Sequence, residues 1–223
     1  MPNGFKFMST KHVAGFLNGS VRFSTLDYFR GIEGPEWIRD CLEGITKVEI
    51  PSVKFDSRAP DAAEKRMKLF QLGVMIGSGV VEMTNSQSYL IAHHLHVFCF
   101  SKEPFETARK AMCDDAPEGW RYDACVEIRD IRAFCEAMED GKINGQPFRE
   151  AIASTLGCRD VRYNKATLAF DMDEEFYVDP FQKPAHFACQ QEIRFVIQPR
   201  AILPPNMYVE FDVPDGLLKQ LEI

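Results

Sequence analysis

The segment GFKFMSTKHVAGFLNGSVRFSTLDYFRG, Gly4 to Gly31, decides the fold class. Phe5 and Phe7 alternate with Lys6 as on a strand. Ser9 or Thr10 is placed to cap a helix whose apolar positions Val13, Phe16 and Leu17 recur at helical spacing, and Asn18-Gly19 ends it. Val21 and Phe23 then open a second extended piece. Strand, helix and strand follow one another with short joints.

The rest of the chain mixes the two kinds of element without a regular βαβ alternation. From Gly31 to about Ser52 it is rich in Gly and charge, with no clean period, and reads as an ordered loop or short turns. APDAAEKRMKLFQLG reads as a helix beginning near Pro60 or Asp61 and ending at Gly73. SYLIAHHLHVFCFS, Ser88 to Ser101, is the strongest strand signal, and its apolar residues on both faces make it central. KEPFETARKAMCDD reads as a helix, RYDACVEIRD as a strand, and DIRAFCEAMEDG as a helix capped by Asp130 and closed at Gly141. PFREAIASTLG reads as a further helix, and DVRYNKA, QQEIRFVIQP and MYVEFDV as strands. One α+β domain over residues 1–223 is expected rather than a doubly wound parallel sheet.

The chain has 223 residues, 45% apolar and 26% charged, and a formal net charge of −7. That balance supplies no overall basic field for a polyanion, so non-specific nucleic-acid binding is disfavoured. Apolar stretches fall short of the ~20 residues needed to span a bilayer, and no basic-then-apolar leader opens the chain. A cytoplasmic protein outside the membrane is expected. Its seven cysteines are odd in number and form no CxxC pair, which reads as reduced core residues.

Few arrangements point to chemistry. On one continuous strand His94 and His96 of AHHLHVF share a face and His93 takes the other, yet a zinc site lacks its third ligand nearby. Cys189 follows His186 too loosely for a thiol–base pair, and Ser101 has no GxSxG elbow and reads as a helix cap. No metal ligand set is assigned. FSTLDYFRGIEGPEWIRDCLEG is different in kind. It sets Ser24, Thr25, Asp27, Arg30, Glu33, Glu36, Arg39, Asp40 and Glu43 among Phe23, Tyr28, Phe29 and Trp37, the make-up of a small-molecule cleft or of a self-paired surface loop. In HFACQQEIRFVIQP, alternation puts Gln190, Glu192 and Arg194 on one face and Gln191, Ile193 and Phe195 on the other. Glu192 is then either an ion-pair partner of Arg194 or an acid displayed to a cleft.

The ordered landmarks FKFMSTKHVAGFLNGSVRFSTLDYFRGIEG…RDCLEG, HVFCFSKE, YDACVEIRD and FQKPAHFACQQEIRFVI resemble those of a large bacterial and phage family of unknown function, over about half the chain. More remotely they are similar to the ADP-ribosyltransferase fold, including its DNA-modifying toxin branch. That resemblance implies a mixed or antiparallel, split central sheet flanked by helices, with NAD as substrate, a macromolecular acceptor, and a role in bacterial–phage conflict as toxin or defence factor. In that fold an early strand carries an Arg or His that holds NAD, a small polar step follows, and a late strand begins with the catalytic Glu in a Gln/Glu-x-Glu pattern.

The corresponding positions here are Lys6, a departure from Arg or His that Arg22 would have to make good, Ser24-Thr25, and Gln190-Gln191-Glu192. The resemblance implies that Glu192 stabilises the oxocarbenium-like transition state and Gln190 orients the acceptor. Ser24 or Thr25 would position the nicotinamide ribose, Tyr28 or Phe29 would stack on nicotinamide, and Arg30 would pair with pyrophosphate. Two other readings stand beside it. One is a non-catalytic protein that binds a ligand or partner through the FRGIEG…CLEG loop; the other is a metal-dependent nuclease or hydrolase using Asp40 and Glu43.

Overall fold

The computed structural model describes residues 3–32, 40–41, 43–102, 104–164, 167–171, 173 and 175–223. In chain order its elements are β1 (Gly4–Met8), α1 (Val13–Leu17), β2 (Ser20–Thr25), α2 (Leu26–Arg30), β3 (Ile45–Asp56), α3 (Ala62–Gln71), β4 (Val80–Ile91), β5 (His96–Lys102), α4 (Phe105–Arg109), β6 (Ala124–Ile128), α5 (Ile131–Glu139), β7 (Lys142–Ile143), β8 (Gln146–Pro147), α6 (Phe148–Ala151), β9 (Ile152–Asp160), β10 (Leu168–Ala169), β11 (Glu192–Pro199), β12 (Asn206–Glu210) and β13 (Leu218–Leu221). The class is α+β, with largely antiparallel sheets. No helix among the described residues is long and apolar enough to cross a membrane. The described cysteines are free thiols, Cys125 buried and Cys41 and Cys189 exposed.

The chain forms two compact units, Met1–Glu43 with His93–Asn164 and Phe181–Ile223, and Gly44–Ala92 with Lys165–Pro180. The second unit is a three-stranded sheet ordered β10-β3-β4, with α3 packed through Leu69 and Leu72 onto Val48, Ile50 and Val53. The helix expected at APDAAEKRMKLFQLG is α3. The loop expected up to Ser52 is strand β3 from Ile45 onward. Its buried residues are Val48 and Ile50 before Pro51 but Val53 and Phe55 after it, so the inward face changes in mid-strand and hides the period of two.

Four other expectations are corrected. SYLIAHHLHVFCFS is two strands, because the chain leaves the β4 ladder at Ala92, whose N–H goes to Gly44, and joins β5 at His96. PFREAIASTLG is helical only over Phe148–Ala151; from Ile152 it pairs along β11, where an open edge outweighs helix propensity. In DVRYNKA, Asp160 ends β9 and Arg162 forms an isolated bridge with Gln182, while Lys165 and Ala166 lie outside the described residues. The helix in DIRAFCEAMEDG is α5, and Asp130 caps it by accepting the Ala133 N–H at 3.0 Å. Ser101 caps nothing: it is buried in β5, and α4 starts after Pro104 without a side-chain cap.

The first unit is organised around β5. One edge of β5 pairs with β11 from Ser101↔Glu192 to His96↔Ile197. The opposite edge is shared: β1 takes Lys102 and Ser101, and β2 takes Val97 and His96. β1 and β2 therefore run parallel to each other, joined by the α1 segment, and part over Phe98–Phe100. One face of this sheet carries the main core, in which Phe98, Phe100, Phe195 and Phe23 meet Phe134 and Met138 of α5. Val21 and Phe23 turn into that core and leave Arg22 exposed.

The return from α1 into β2 depends on Gly19, whose φ is +79° and at which a Cβ would stand 1.9 Å from the Phe211 carbonyl oxygen. Gly19→Ala is expected to destabilise by at least about 1–3 kcal/mol from the backbone conformation alone. Gly15→Ala, on α1 with nothing near its Cβ position, is expected to stabilise by roughly 0.5–1 kcal/mol. Thermal unfolding of the two variants checks both signs.

Candidate functional site

Where β1 and β2 part, a cavity of about 1500 Å³ opens within the first unit. Its lining includes Lys6 of β1, Arg22 and Thr25 of β2, Tyr28 and Phe29 of α2, Cys99 of β5, and Gln190, Glu192 and Arg194. The divergence leaves the Cys99 carbonyl without a strand partner on that edge, and the Lys6 ammonium donates to it at 2.5 Å while lying 4.9 Å above the Phe98 ring. Burial, with the like charge of Arg22 added, outweighs the attraction of Cys99 and Glu192 and pulls Lys6 below the usual lysine range. The Cys99 thiol is pushed far up by burial and then by Glu192, which makes it an inert neighbour.

The polar start of β11 is a turn followed by a strand. A 3-10 helix, Ala185–Gln190, hands over to Gln191 in the left-handed conformation (φ 45°), and β11 begins at Glu192. Gln191 is anchored by its own side-chain amide, which donates to the Ala188 carbonyl at 2.8 Å. Alternation correctly puts Glu192 and Arg194 opposite Ile193 and Phe195. Gln190 joins the Glu192 side for another reason: the Lys183 ammonium donates to Gln190 Oε1 at 3.0 Å and to Glu192 Oε2 at 2.7 Å.

Glu192 and Arg194 form a larger buried assembly. Arg194 Nε donates to Glu192 Oε1 at 2.5 Å, and its two terminal nitrogens grip Glu43 Oε1 and Oε2 at 2.7 and 2.9 Å. Lys183 lies 3.7 Å from Glu43 Oε2. Two cations and two carboxylates, all buried, close a set whose formal charges cancel. Burial alone would raise the Glu192 carboxyl, but the charges of Arg194 and Lys183 and the hydrogen bonds from both hold it well below the usual carboxylate range. Against the same burial, Glu192 and Glu43 hold Lys183 and Arg194 protonated. The Glu192 N–H donates to the Tyr163 hydroxyl at 2.6 Å, which fixes the backbone beneath the acid.

Of the residues singled out in the sequence, Glu192, Gln190, Lys6, Arg22, Thr25, Tyr28 and Phe29 line the one cavity. Ser24 is buried beside Asn206, to which its hydroxyl donates at 2.7 Å, and Thr25 spends its oxygen on the Tyr28 N–H as the cap of α2. Arg30 is outside the lining; its guanidinium is engaged by the Asp27 carboxylate and the Glu43 carbonyl. Arg22 lies over the Tyr28 ring at 5.7 Å. Glu33, Glu36, Trp37, Arg39 and Leu42 lie outside the described residues; Asp40 is buried. The three histidines do not share a strand: His93 meets Asp27, while His96 is buried against the Pro204 carbonyl. Among the described residues no group of three or more His, Cys, Asp or Glu is placed to hold a metal ion.

Lys183 and Tyr163 were not legible in advance. Neither has a periodic signal, and each acts by reaching Glu192 from a loop. The lining also carries six Lys or Arg side chains against three carboxylates in a chain that is acidic overall. Lys6, Lys11, Arg22 and Arg121 make no salt bridge among the described residues, so the cavity presents uncompensated positive charge beside Tyr28, Phe29 and Tyr122. No protein-family model, curated protein or solved structure matches the chain.

Removing Arg194 leaves Lys183 as the one cation of the quartet against two buried carboxylates. Arg194→Met is expected to destabilise by about 3–5 kcal/mol, read from urea unfolding. Glu192 gives a pH signature of known sign. Its folded pKa is below the unfolded one, so its stabilisation is complete above the unfolded value and is lost as pH falls from about pH 5 downward. Stability measured from neutral to acid pH should fall with a steeper slope in the native protein than in Glu192→Gln.

Proposed function

We propose that the first unit binds NAD or a related dinucleotide and breaks its nicotinamide–ribose bond, passing ADP-ribose to an acceptor or to water as ADP-ribosyltransferase-like enzymes do. The observation that carries this reading is the meeting of an ionised, buried Glu192 with Lys6, Arg22 and Tyr28 around one cavity at the parting of two strands. A dinucleotide combines two phosphates with two flat rings. Unpaired cations answer the first need and aromatic walls the second.

Bond cleavage builds positive charge on the ribose, so a fixed carboxylate stabilises the transition state more than the ground state. Glu192 is already oriented by Arg194 and Lys183 and needs no rearrangement to do this. A carboxylate has about four acceptor sites, and the bonds from Lys183 and Arg194 leave lone pairs for ribose hydroxyls. Gln190, held by the same Lys183, stands at the acceptor side. Lys6, supported by Arg22, takes the place that Arg or His holds in the resembling fold.

One observation favours a second reading, a ligand-binding protein without chemistry: each Glu192 oxygen already accepts a bond from a cation. Nicotinamide release and calorimetric NAD binding separate the two. Catalysis predicts release by the native protein, with a loss of about 10²–10³-fold in Glu192→Gln while NAD still binds. Lys6→Met and Arg22→Met should instead weaken binding. Binding without any release identifies the non-catalytic protein, and absence of both rejects a dinucleotide site.

A further inference from the structure

We infer that His93, oriented by Asp27, is the general base that takes the proton of the nucleophile attacking ribose in this cavity. The inference rests on the NAD-cleaving reading of the site and supplies a group that reading lacks. Both Glu192 oxygens are bonded to cations, and the acid is held ionised with little affinity for a proton. It can stabilise charge but is a poor proton acceptor. Glu43 is likewise committed to Arg194 and Lys183.

His93 is in the break between β4 and β5, and it lines the cavity with Asp27. Its Nδ1 is 3.2 Å from Asp27 Oδ2. The other Asp27 oxygen is held by Arg30, and Arg30 also donates to the Glu43 carbonyl. Since the Glu43 carboxylate grips Arg194, which bonds Glu192, an unbroken chain of polar contacts runs from His93 to the proposed charge-stabilising acid. A carboxylate only accepts, so in the neutral ring the proton is on Nδ1 and the Nε2 lone pair is left available. Nε2 has no hydrogen-bond partner among the described residues. An ordinary surface pair would contribute little; this one is fixed from behind by Arg30 and faces the cavity.

The step balances without a further reactant. The ribose C1–N bond breaks and its electron pair leaves with nicotinamide. A hydroxyl oxygen, of water or of an acceptor, forms the new C1–O bond, and its proton passes to His93 Nε2, giving an imidazolium that Asp27 stabilises before solvent removes the proton. The nucleophile class is therefore O–H. The charged and titratable groups around His93 are Asp27, Arg30 behind it, and His94, whose ring centroid is 6.2 Å away.

The test is nicotinamide release as a function of pH, with NAD binding measured in parallel, for the native protein, His93→Gln, Asp27→Asn and His94→Gln. His93 is exposed, and circular dichroism verifies that its variant folds. The native rate should rise with pH through a single ionisation. His93→Gln should lose about 10²-fold and that ionisation together, with NAD affinity intact and with rate restored by added imidazole. Asp27→Asn should lose rate in the same way, and His94→Gln should retain it. A native protein that cleaves NAD while His93→Gln keeps the rate and the pH profile overturns the base assignment and leaves the site reading standing. A native protein that binds or cleaves no NAD overturns both.

Discussion

Arg194 is almost wholly buried, and a guanidinium cannot shed its charge there. Everything around it follows from that constraint. Two carboxylates reach it, Glu192 from two residues away and Glu43 from 151 residues away. Two carboxylates against one cation leave an excess that Lys183 cancels. The strand carrying Arg194 is thereby fixed against β5 on one edge and β9 on the other. The ionised state of Glu192 is thus a by-product of packing an arginine, and a site that needs a permanently charged acid inherits it.

The parting of β1 from β2 is the other half of the site. A continuous neighbour for β5 would close its backbone and leave no cavity. Two strands that each take one end of β5 leave three residues of its edge open, and Lys6 reaches in to satisfy the Cys99 carbonyl. Any anion entering the cavity would compete with that carbonyl for the same ammonium.

Legibility in the sequence followed the range of the interactions. The strand–helix–strand opening, α3, α5 with its Asp130 cap, and the alternation of Glu192 and Arg194 against Ile193 and Phe195 are local patterns, and each could be read. β3 was hidden by Pro51, where the buried face changes. β9 was hidden because its helix-like composition yields to an open strand edge. Among the candidate residues, Lys6, Arg22, Thr25, Tyr28, Phe29, Gln190 and Glu192 line one cavity; cleft-like composition, strand alternation and the resemblance had singled them out. Lys183, Tyr163 and the Asp27–His93 pair act across long gaps in sequence, and no spacing announces such a contact. The three histidines were misread for the same reason that β4 and β5 were joined: an apolar run continued where the backbone did not.

The Glu43–Arg194 contact spans 151 residues of chain. During synthesis at about 5–20 residues per second, Glu43 is made roughly 8–30 s before its partner exists. For the first part of that interval β1 and β2 also await β5, His96–Lys102, so the residues before it cannot reach their native pairing by themselves. Long-range pairing of this kind slows folding and leaves strand edges uncovered meanwhile. The buried quartet can close only after β11 has been made, so the contact that neutralises Arg194 is among the last the growing chain can form.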